Sequence, residues 1–314
     1  MSNLIIDGNS LLYAANDAKP LTCDGTEVQA VYNSLRSIAS LMEKYRGATP
    51  IVLWDGKAKW RFDLWPHYKG NRRSTPAQIA NKESVRRQRP LLIAMLNQLG
   101  VAQFLGVEAE ADDVAASIVF RNPDHRLILV TGDRDWLQLL ERDEIIWTDN
   151  RIGATCTLKQ LQDFTGYKTP KAFVQAKCLA GDTSDNIPGV GGIGKDRALE
   201  LLNKYGNVKY FLADDFNDSW PKWMKDFHRN ERPKASDKWG EMELPFNALE
   251  RNRKLMDLKY GAQNFSRVIK NRKPFVYTDA VEILKAWQFF SLSSNSQILG
   301  LFERSAQTPI TINI

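Results

Sequence analysis

The stretch Arg126-Leu-Ile-Leu-Val-Thr-Gly-Asp-Arg-Asp135 decides the fold class of this 314-residue chain. Its apolar run is unbroken, which is typical of a strand that is buried on both faces of a parallel sheet. Gly132 ends the run, acidic residues follow at once, and a helical pattern begins at Trp136. A buried strand that leads through an acidic turn into a helix indicates an α/β protein with a ligand site at the strand end.

Shorter apolar runs on the amino-terminal side repeat this pattern. Residues 4–6 and 51–54 are predicted as buried strands, and the apolar spacing over residues 26–45 predicts a helix between them. Two strands joined by a helix form a βαβ unit, which favours a parallel sheet. Further strands are predicted at residues 101–105 and 144–147. The predicted fold class is therefore α/β, with a central, mostly parallel sheet flanked by helices.

Carboxylates follow the predicted strands. Side chains that follow parallel strands converge at the carboxyl edge of the sheet although they are distant in sequence. One strand leads into Glu108-Ala-Glu-Ala-Asp-Asp113, where four acids occupy six residues at the predicted start of a helix. The candidate ligands are nine carboxylates in five clusters: Asp7; Asp55; Glu110, Asp112 and Asp113; Asp133 and Asp135; and Asp182 and Asp185.

Like charges at this density repel, at roughly 4 kcal/mol per pair for a separation of about 4 Å and an effective dielectric constant near 20. Either the acids point into water or a cation neutralises them. Any one aspartate after a strand could be an ordinary turn or capping residue, but the coincidence across five clusters favours a metal site. Hard oxygen ligands suit Mg²⁺ or Mn²⁺, and nine of them indicate more than one ion. Two ions at a phosphate could activate water and stabilise the leaving oxygen.

Residues 57–89 differ in character from the rest of the chain. They contain ten basic and two acidic residues, with four aromatic residues interleaved, whereas the whole chain has a net charge of +6. Such a segment either attracts a phosphate backbone or forms a solvated charged face. Beside an acidic site, we interpret it as the surface that attracts nucleic acid.

Cysteine content and hydropathy indicate the cellular compartment in which the protein is expected. The three cysteines show no metal-binding spacing and suggest no disulfide framework. The amino terminus does not have the pattern of a signal peptide, and no apolar stretch approaches the length of a membrane span. We expect a soluble, cytoplasmic protein that does not bind membranes.

Six stretches within roughly residues 3–260 carry a recognisable pattern. They are Leu4-Ile-Ile-Asp-Gly-Asn-Ser-Leu11, Ile51-Val-Leu-Trp-Asp-Gly56, Tyr68-Lys-Gly-Asn-Arg72, Glu110-Ala-Asp-Asp-Val114, Thr131-Gly-Asp-Arg-Asp-Trp136, and residues 177–195. In this order they resemble the motifs of the 5′-nuclease superfamily, which includes flap endonucleases, the 5′-exonuclease domain of bacterial DNA polymerase I, and phage-encoded 5′-exonucleases and ribonucleases H. The chain looks most like the stand-alone phage enzymes.

The resemblance implies roles for the acids. One metal site would use Asp7, Asp55, Glu110, Asp112 and Asp113, the last partly through water. The second site would use Asp133, Asp135, Asp182 and Asp185, with some acids acting from the outer shell. The implied cofactor is Mg²⁺, in two or more copies, which Mn²⁺ could replace. Glu108 has no role in the superfamily, and we assign it to solvent or to the outer shell.

The resemblance also implies contacts with DNA. Residues 57–89 would form a helical arch over the site, and the catalytic cations would be Lys69, Arg72 and Lys177. Tyr68 could stack on a base near the cut. A helix–two-turn–helix element near residues 182–203 would grip one duplex strand, often with a bound K⁺. Its DNA-binding residues would be Gly189, Gly191, Gly192, Gly194 and Lys195.

The predicted domain organisation has three parts. Residues 1–156 form the α/β nuclease core, residues 157–303 form a helical duplex-binding region, and residues 304–314 form a polar tail. No strand is predicted after about residue 157. The Trp- and Lys-rich segment over residues 214–240 matches no motif and either contacts duplex DNA or covers the core.

The implied function is that of a metal-dependent 5′→3′ exonuclease or flap endonuclease acting in replication, primer removal or repair. An RNase H-type enzyme that prefers RNA–DNA hybrids is the alternative, and a non-catalytic binder of branched DNA is a remote one. A small-molecule phosphatase does not explain the basic segment.

We expect a monomer that acts on DNA with a 5′ end, flap or nick, in the host cytoplasm if it is phage-encoded. Single-strand binding protein or a polymerase are possible partners.

Overall fold

A computed structural model describes residues 2–71, 75–149, 151–231 and 243–314 of the chain. A seven-stranded sheet with strand order β8-β7-β6-β1-β4-β5-β9 forms its centre. In chain order the strands are β1 (Ser2–Asp7), β2 (Thr22–Cys23), β3 (Thr26–Glu27), β4 (Ala48–Trp54), β5 (Ala102–Val107), β6 (Arg126–Val130), β7 (Ile145–Asp149), β8 (Ala154–Thr157) and β9 (Arg267–Asn271). β2 and β3 form a separate two-stranded hairpin.

The five predicted strands are confirmed as the parallel centre of the sheet, β7-β6-β1-β4-β5, while β8 and β9 pair antiparallel at its two edges. Alternate residues of each central strand enter different hydrophobic clusters. Leu4 and Ile6 join one cluster, and Ile5 joins the other. Because successive side chains of a strand point to opposite faces, both faces of the sheet are covered. This explains why the sequence shows unbroken apolar runs.

Helices cover both faces of the sheet and build the carboxyl-terminal half. They are α1 (Gly8–Asn16), α2 (Gln29–Lys44), α3 (Lys59–Leu64), α4 (Pro76–Gln98), α5 (Ala111–Arg121), α6 (Leu161–Thr165), α7 (Pro170–Ala180), α8 (Lys195–Tyr205), α9 (Val208–Ala213), α10 (Lys222–His228), α11 (Pro245–Met256), α12 (Leu258–Gly261), α13 (Tyr277–Ala286), α14 (Phe290–Ser293) and α15 (Ser296–Gln307). Within the described residues, none of them combines the length and the apolar character needed to cross a membrane.

The structure corrects the sequence analysis at the carboxyl-terminal end. Strand β9 pairs with β5, so the region predicted to be helical over residues 157–303 supplies an edge strand to the core sheet. The helix α15 continues past residue 304, where the polar tail was predicted to begin, and it ends at Gln307. Beyond it, Ile312 is buried against the core cluster of α5. The polar residues of the tail had concealed these apolar contacts.

The helical region has its own hydrophobic cluster, built from α7 to α11. Phe211, Trp220 and Phe227 pack together there, with Phe211 and Phe227 stacked at 5.8 Å between ring centroids. Trp220 is buried, so the described part of the segment over residues 214–240 covers this helical core. Residues 232–240 of that segment lie outside the described residues.

Candidate active site

Asp7 occupies the carboxyl end of β1 and caps the helix that follows. Its Oδ1 accepts hydrogen bonds from the backbone N–H groups of Asn9 at 3.0 Å and Ser10 at 2.9 Å, and its Oδ2 accepts one from the Thr131 hydroxyl at 2.9 Å. Burial, with further repulsion from Asp55, raises the pKa of Asp7 to about 6. The strand register explains this neighbourhood, since Asp7 lies level with Leu53 of β4, two residues before Asp55.

Asp55 links β4 to the start of α5. Its Oδ1 accepts the backbone N–H of Ala111 at 2.8 Å, and its Oδ2 accepts the side-chain amide of Asn9. The amino-terminal end of α5 therefore faces a carboxylate, as the partial positive charge of a helix start favours. Asp55 is thereby held beside Asp112, in the first turn of the same helix.

Asp112 lies among like charges. Burial raises its pKa well above the ordinary value, and repulsion from Asp133, Asp7, Asp55 and Glu110 adds to this effect. Its Oδ1 accepts a hydrogen bond of 2.7 Å from the indole N–H of Trp136. The structure thus brings together the acids predicted after four different strands.

Glu110 and Asp113 lie on the other side of this edge and have cationic partners. The guanidinium of Arg61 donates two hydrogen bonds to Asp113, at 2.7 and 2.6 Å, and its Nη1 lies 3.7 Å from Glu110. The side chains of Arg61 and Asp113 are 2% and 0% exposed. Asp113 also accepts the backbone N–H of Glu110 at 3.0 Å. Asp113 therefore faces Arg61 and supports Glu110, an arrangement that the resemblance did not imply.

Tyr68 and Lys69 complete the surroundings of Glu110. The Tyr68 hydroxyl donates to Oε2 at 3.2 Å, and the Lys69 ammonium donates to Oε1 at 2.6 Å. Burial raises the pKa of Glu110, but Arg61 and Lys69 outweigh burial and lower it overall. Tyr68 is 4% exposed, so in this structure it holds Glu110 and is not placed to stack on a base. Arg72, the other predicted arch cation, lies outside the described residues.

The second group of acids lies on turns. Asp133 accepts the backbone N–H of Asp135 at 2.8 Å, and Asp135 pairs with Lys177. Burial raises the pKa of Asp135 to about 6 even though the ammonium of Lys177 opposes that rise. Lys177 also lies 3.4 Å from Asp182, so this predicted cation does reach the acids. The backbone carbonyl of Asp185 accepts the N–H of Lys69 at 2.8 Å, which joins this group to the arch segment.

The acidic edge fits divalent metal in its chemistry. Burial and mutual repulsion raise the pKa values of Asp7 and Asp112. A bound cation would lower these pKa values, because it stabilises the ionised carboxylates. All the candidate donors are hard oxygens. Among the described residues, however, no three acidic, histidine or cysteine side chains already surround a single point.

The glycine-rich turn over residues 189–194 joins α7 to α8. Gly191 and Gly192 have φ values of +55° and +74°, in the left-handed region where only glycine is unstrained. Gly194 caps α8, and Lys195 is its exposed first residue. A Cβ on Gly189 would lie 2.6 Å from the carbonyl oxygen of Ala180. The two helices and this tight turn agree with the predicted helix–two-turn–helix element.

The residues that orient the acids were not among those predicted from the sequence. Arg61 was counted as part of the basic surface, yet it is internal. Trp136, Thr131 and Asn9 each donate to a different carboxylate. Their proximity to the acidic motifs was visible in the sequence, but the direction of each donor depends on tertiary packing. Glu108, as predicted, is exposed.

Comparison with known proteins gives two family matches. Residues 2–166 match the model described as 5′-3′ exonuclease, N-terminal resolvase-like domain, and residues 168–237 match that described as 5′-3′ exonuclease, C-terminal SAM fold. The chain is 35% identical over 216 residues to thermostable DNA polymerase I of Thermus filiformis, with 67% of this chain and 25% of that protein covered. It is 30% identical over 225 residues to DNA polymerase I of Bacillus caldotenax, with 67% and 24% covered. The chain thus spans about a quarter of the length of these relatives.

Solved structures share the fold. The phage T5 D15 protein, co-crystallised with metal ions, superimposes with a TM-score of 0.65 at 24% identity, over 98% of both chains. The catalytic core of Rad2 in complex with a DNA substrate gives a TM-score of 0.53 at 15% identity, over 96% of this chain and 91% of that one. At these identities the likeness concerns the architecture of the chain.

Proposed function

Because the chain belongs to the 5′-3′ exonuclease family, we propose that it is a metal-dependent nuclease that hydrolyses phosphodiester bonds near the 5′ ends of structured DNA. The observation that carries this proposal is the convergence of Asp7, Asp55, Asp112 and Asp133, because repulsion from the neighbouring acids adds to burial in raising the pKa values of Asp7 and Asp112. The cations Lys69 and Lys177 border the same acids.

We propose that two Mg²⁺ ions, replaceable by Mn²⁺, bind along this edge. Bound there, they would supply a water nucleophile and stabilise the leaving oxygen. Asp7, Asp55, Glu110 and Asp112 would hold one ion, with Asp113 supporting Glu110. Asp133, Asp135, Asp182 and Asp185 would serve the other. Residue by residue, this assignment rests on the resemblance and on the geometry of the edge.

Lys69 and Lys177 have a second role in this proposal. Each is paired with a carboxylate in the structure, Lys69 with Glu110 and Lys177 with Asp135. Both ammonium groups therefore lie beside the acids that would hold the ions. Together with Arg72, they would offset the charge that develops on the scissile phosphate.

The duplex would lie against the turn between α7 and α8. The backbone N–H groups of Gly189, Gly191, Gly192 and Gly194, with the ammonium of Lys195, supply donors for phosphate oxygens. We propose that K⁺ binds at the same turn through backbone carbonyl groups. The protein would act as a cytoplasmic monomer, beside replication proteins such as single-strand binding protein or polymerase.

The decisive experiment compares cleavage of a 5′ flap, a nicked duplex, a blunt duplex and an RNA–DNA hybrid in Mg²⁺ and in EDTA. We expect Mg²⁺-dependent release of short products from the DNA substrates. Faster cleavage of the hybrid would favour the RNase H-type alternative. Binding to branched DNA without cleavage in either Mg²⁺ or Mn²⁺ would contradict the enzyme assignment.

The substitution Asp133→Asn tests the site within the same assay. We expect it to abolish cleavage and to leave DNA affinity, measured in Ca²⁺, within a few fold. Asp124→Asn is the matched control, because Asp124 is an exposed acid near the opposite, amino-terminal end of β6. Unchanged turnover in Asp133→Asn would show that the metal site lies elsewhere.

A further inference from the structure

Trp136 is fully buried, yet its one polar atom is directed at an acid. It lies in the 3₁₀ turn Arg134–Leu139 and is 0% exposed. Its indole N–H donates to Oδ1 of Asp112 at 2.7 Å. Packing alone does not require the indole N–H, so this hydrogen bond has an effect on Asp112 that is separate from the packing of the ring. In the described part of the chain, no other hydrogen bond to the Asp112 side chain is found.

The other acids of this edge are oriented differently. Asp7 accepts two backbone N–H groups and a hydroxyl, and Asp55 accepts a backbone N–H and an amide. Both acids would keep at least one donor if any single side chain were removed. Among the described residues, only the indole of Trp136 donates a hydrogen bond to the Asp112 side chain, and four acids repel it.

The turn that carries Trp136 also carries the second group of acids. Asp133 caps the turn and Asp135 lies in its first positions, directly before Trp136. The opposite side of the turn is anchored through Gln138, whose side chain accepts the backbone N–H of Leu258 at 2.9 Å and donates to the carbonyl of Met256 at 3.3 Å. The indole therefore joins an anchored turn of the second group to an acid of the first group.

We propose that Trp136 is a positioning residue that fixes the Asp112 carboxylate relative to Asp133 and Asp135 and so sets the spacing of the two metal-binding groups. Metal pairs that act on one phosphate lie about 3.5–4 Å apart, so a rotation of one ligand matters. This inference rests on the proposed function, because it assumes that Asp112 is a ligand.

The test compares Mn²⁺ binding, followed by electron paramagnetic resonance on the full chain without DNA, in the wild type, Trp136→Phe and Trp136→His. Phenylalanine keeps an apolar aromatic ring, smaller than indole, without a donor, whereas histidine keeps a ring N–H on a smaller and more polar ring. We expect Trp136→Phe to weaken Mn²⁺ binding by about 10-fold or more, as loss of a hydrogen bond to a metal ligand typically does. Trp136→His should bind Mn²⁺ more tightly than Trp136→Phe, although it is no more stable to heat.

Trp54→Phe is the matched control. Trp54 is also buried, and its indole N–H donates at 2.9 Å to the amide oxygen of Gln103 instead of to a carboxylate. It should bind Mn²⁺ like the wild type. Affinity of each variant for a 5′-flap DNA in Ca²⁺ should be unchanged, while kcat in saturating Mg²⁺ falls for Trp136→Phe.

Two outcomes would overturn the inference. Equal Mn²⁺ affinity of Trp136→Phe and the wild type would show that the N–H is dispensable. If Mn²⁺ affinity instead follows thermal stability, so that Trp136→His binds more weakly than Trp136→Phe, then Trp136 acts only through packing. A wild type that binds no Mn²⁺ would instead overturn the metal site of the proposed function, so the two failures are distinguishable.

Discussion

The two sides of the acidic edge differ in how their charge is compensated. Glu110 and Asp113 are held by Arg61 and Lys69, whereas the charged groups that most affect the pKa values of Asp7 and Asp112 are other acids. Proteins tolerate buried carboxylates if each is paired or if a metal ion neutralises them. Under the proposed function, the paired side would organise the edge and orient Glu110, and the acids without a cationic partner would depend most on the metal for neutralisation.

The largest effect expected from this comparison is on cleavage. Asp112→Asn removes charge on the uncompensated side, so we expect the cleavage rate in Mg²⁺ to fall by about 10³-fold, a loss of several kcal/mol of transition-state stabilisation. Asp113→Asn changes the compensated side and should retain a rate within about tenfold at a temperature where it is folded. Similar losses in both variants, in a flap-cleavage assay, would remove the distinction between the two sides.

The next largest effect concerns stability. Arg61→Met leaves the Asp113 carboxylate buried without its partner, so we expect the free energy of unfolding, measured by urea denaturation, to fall by about 3–5 kcal/mol. The double variant Arg61→Met, Asp113→Leu should recover part of this loss, because no charge then remains unpaired. Arg87→Met is the control, since Arg87 pairs with Glu27 at the surface and should change stability by less than about 1 kcal/mol. A loss of less than about 1 kcal/mol in Arg61→Met would mean that the buried ion pair does not contribute measurably to stability.

A smaller effect concerns pH in the metal-free protein. The pKa of Asp7 is about 6 in the folded chain against an ordinary 3.8, so the folded state takes up a proton as the pH falls through 6 and the unfolded state does not. Stability in EDTA should therefore rise by about 1 kcal/mol between pH 7 and pH 5, and it should be lost again as the pH rises through 6. Thermal unfolding of the wild type and Asp7→Asn measures this difference, which Mg²⁺ should diminish. If the stability of Asp7→Asn rises equally between pH 7 and pH 5, groups other than Asp7 cause the pH dependence.

The smallest effect concerns Tyr68. Tyr68→Phe removes the hydrogen bond to Glu110 and should lower the free energy of unfolding by about 1 kcal/mol, with cleavage within a few fold of the wild type. Base stacking, which the resemblance suggested, needs the ring but not the hydroxyl. A phenylalanine variant as stable as the wild type, together with a leucine variant that binds flap DNA much more weakly, would restore the stacking role.

Prediction from sequence succeeded where the signal was local. The unbroken apolar runs identified the five parallel strands, and the acids at their ends were brought to one edge by the strand register. It failed for β9, whose exposed residues and basic composition lack a strand pattern. It also failed for Arg61, because a buried arginine is identified only by its partner, which lies 52 residues away in sequence. Pairing partners that are distant in the chain decide both features.

The pairing of β9 with β5 means that the central sheet cannot be completed until long after β5 has been synthesised. About 160 residues separate the end of β5 at Val107 from the start of β9 at Arg267. At synthesis rates of about 5–20 residues per second, a ribosome needs roughly 10–30 s to make that length. During this interval a nascent chain presents the free backbone groups of β5, and the residues of α14 and α15 that join the core cluster on one sheet face have not yet been made. Such an edge invites pairing with other chains, so the nascent chain is a predicted client for chaperones that bind exposed strands.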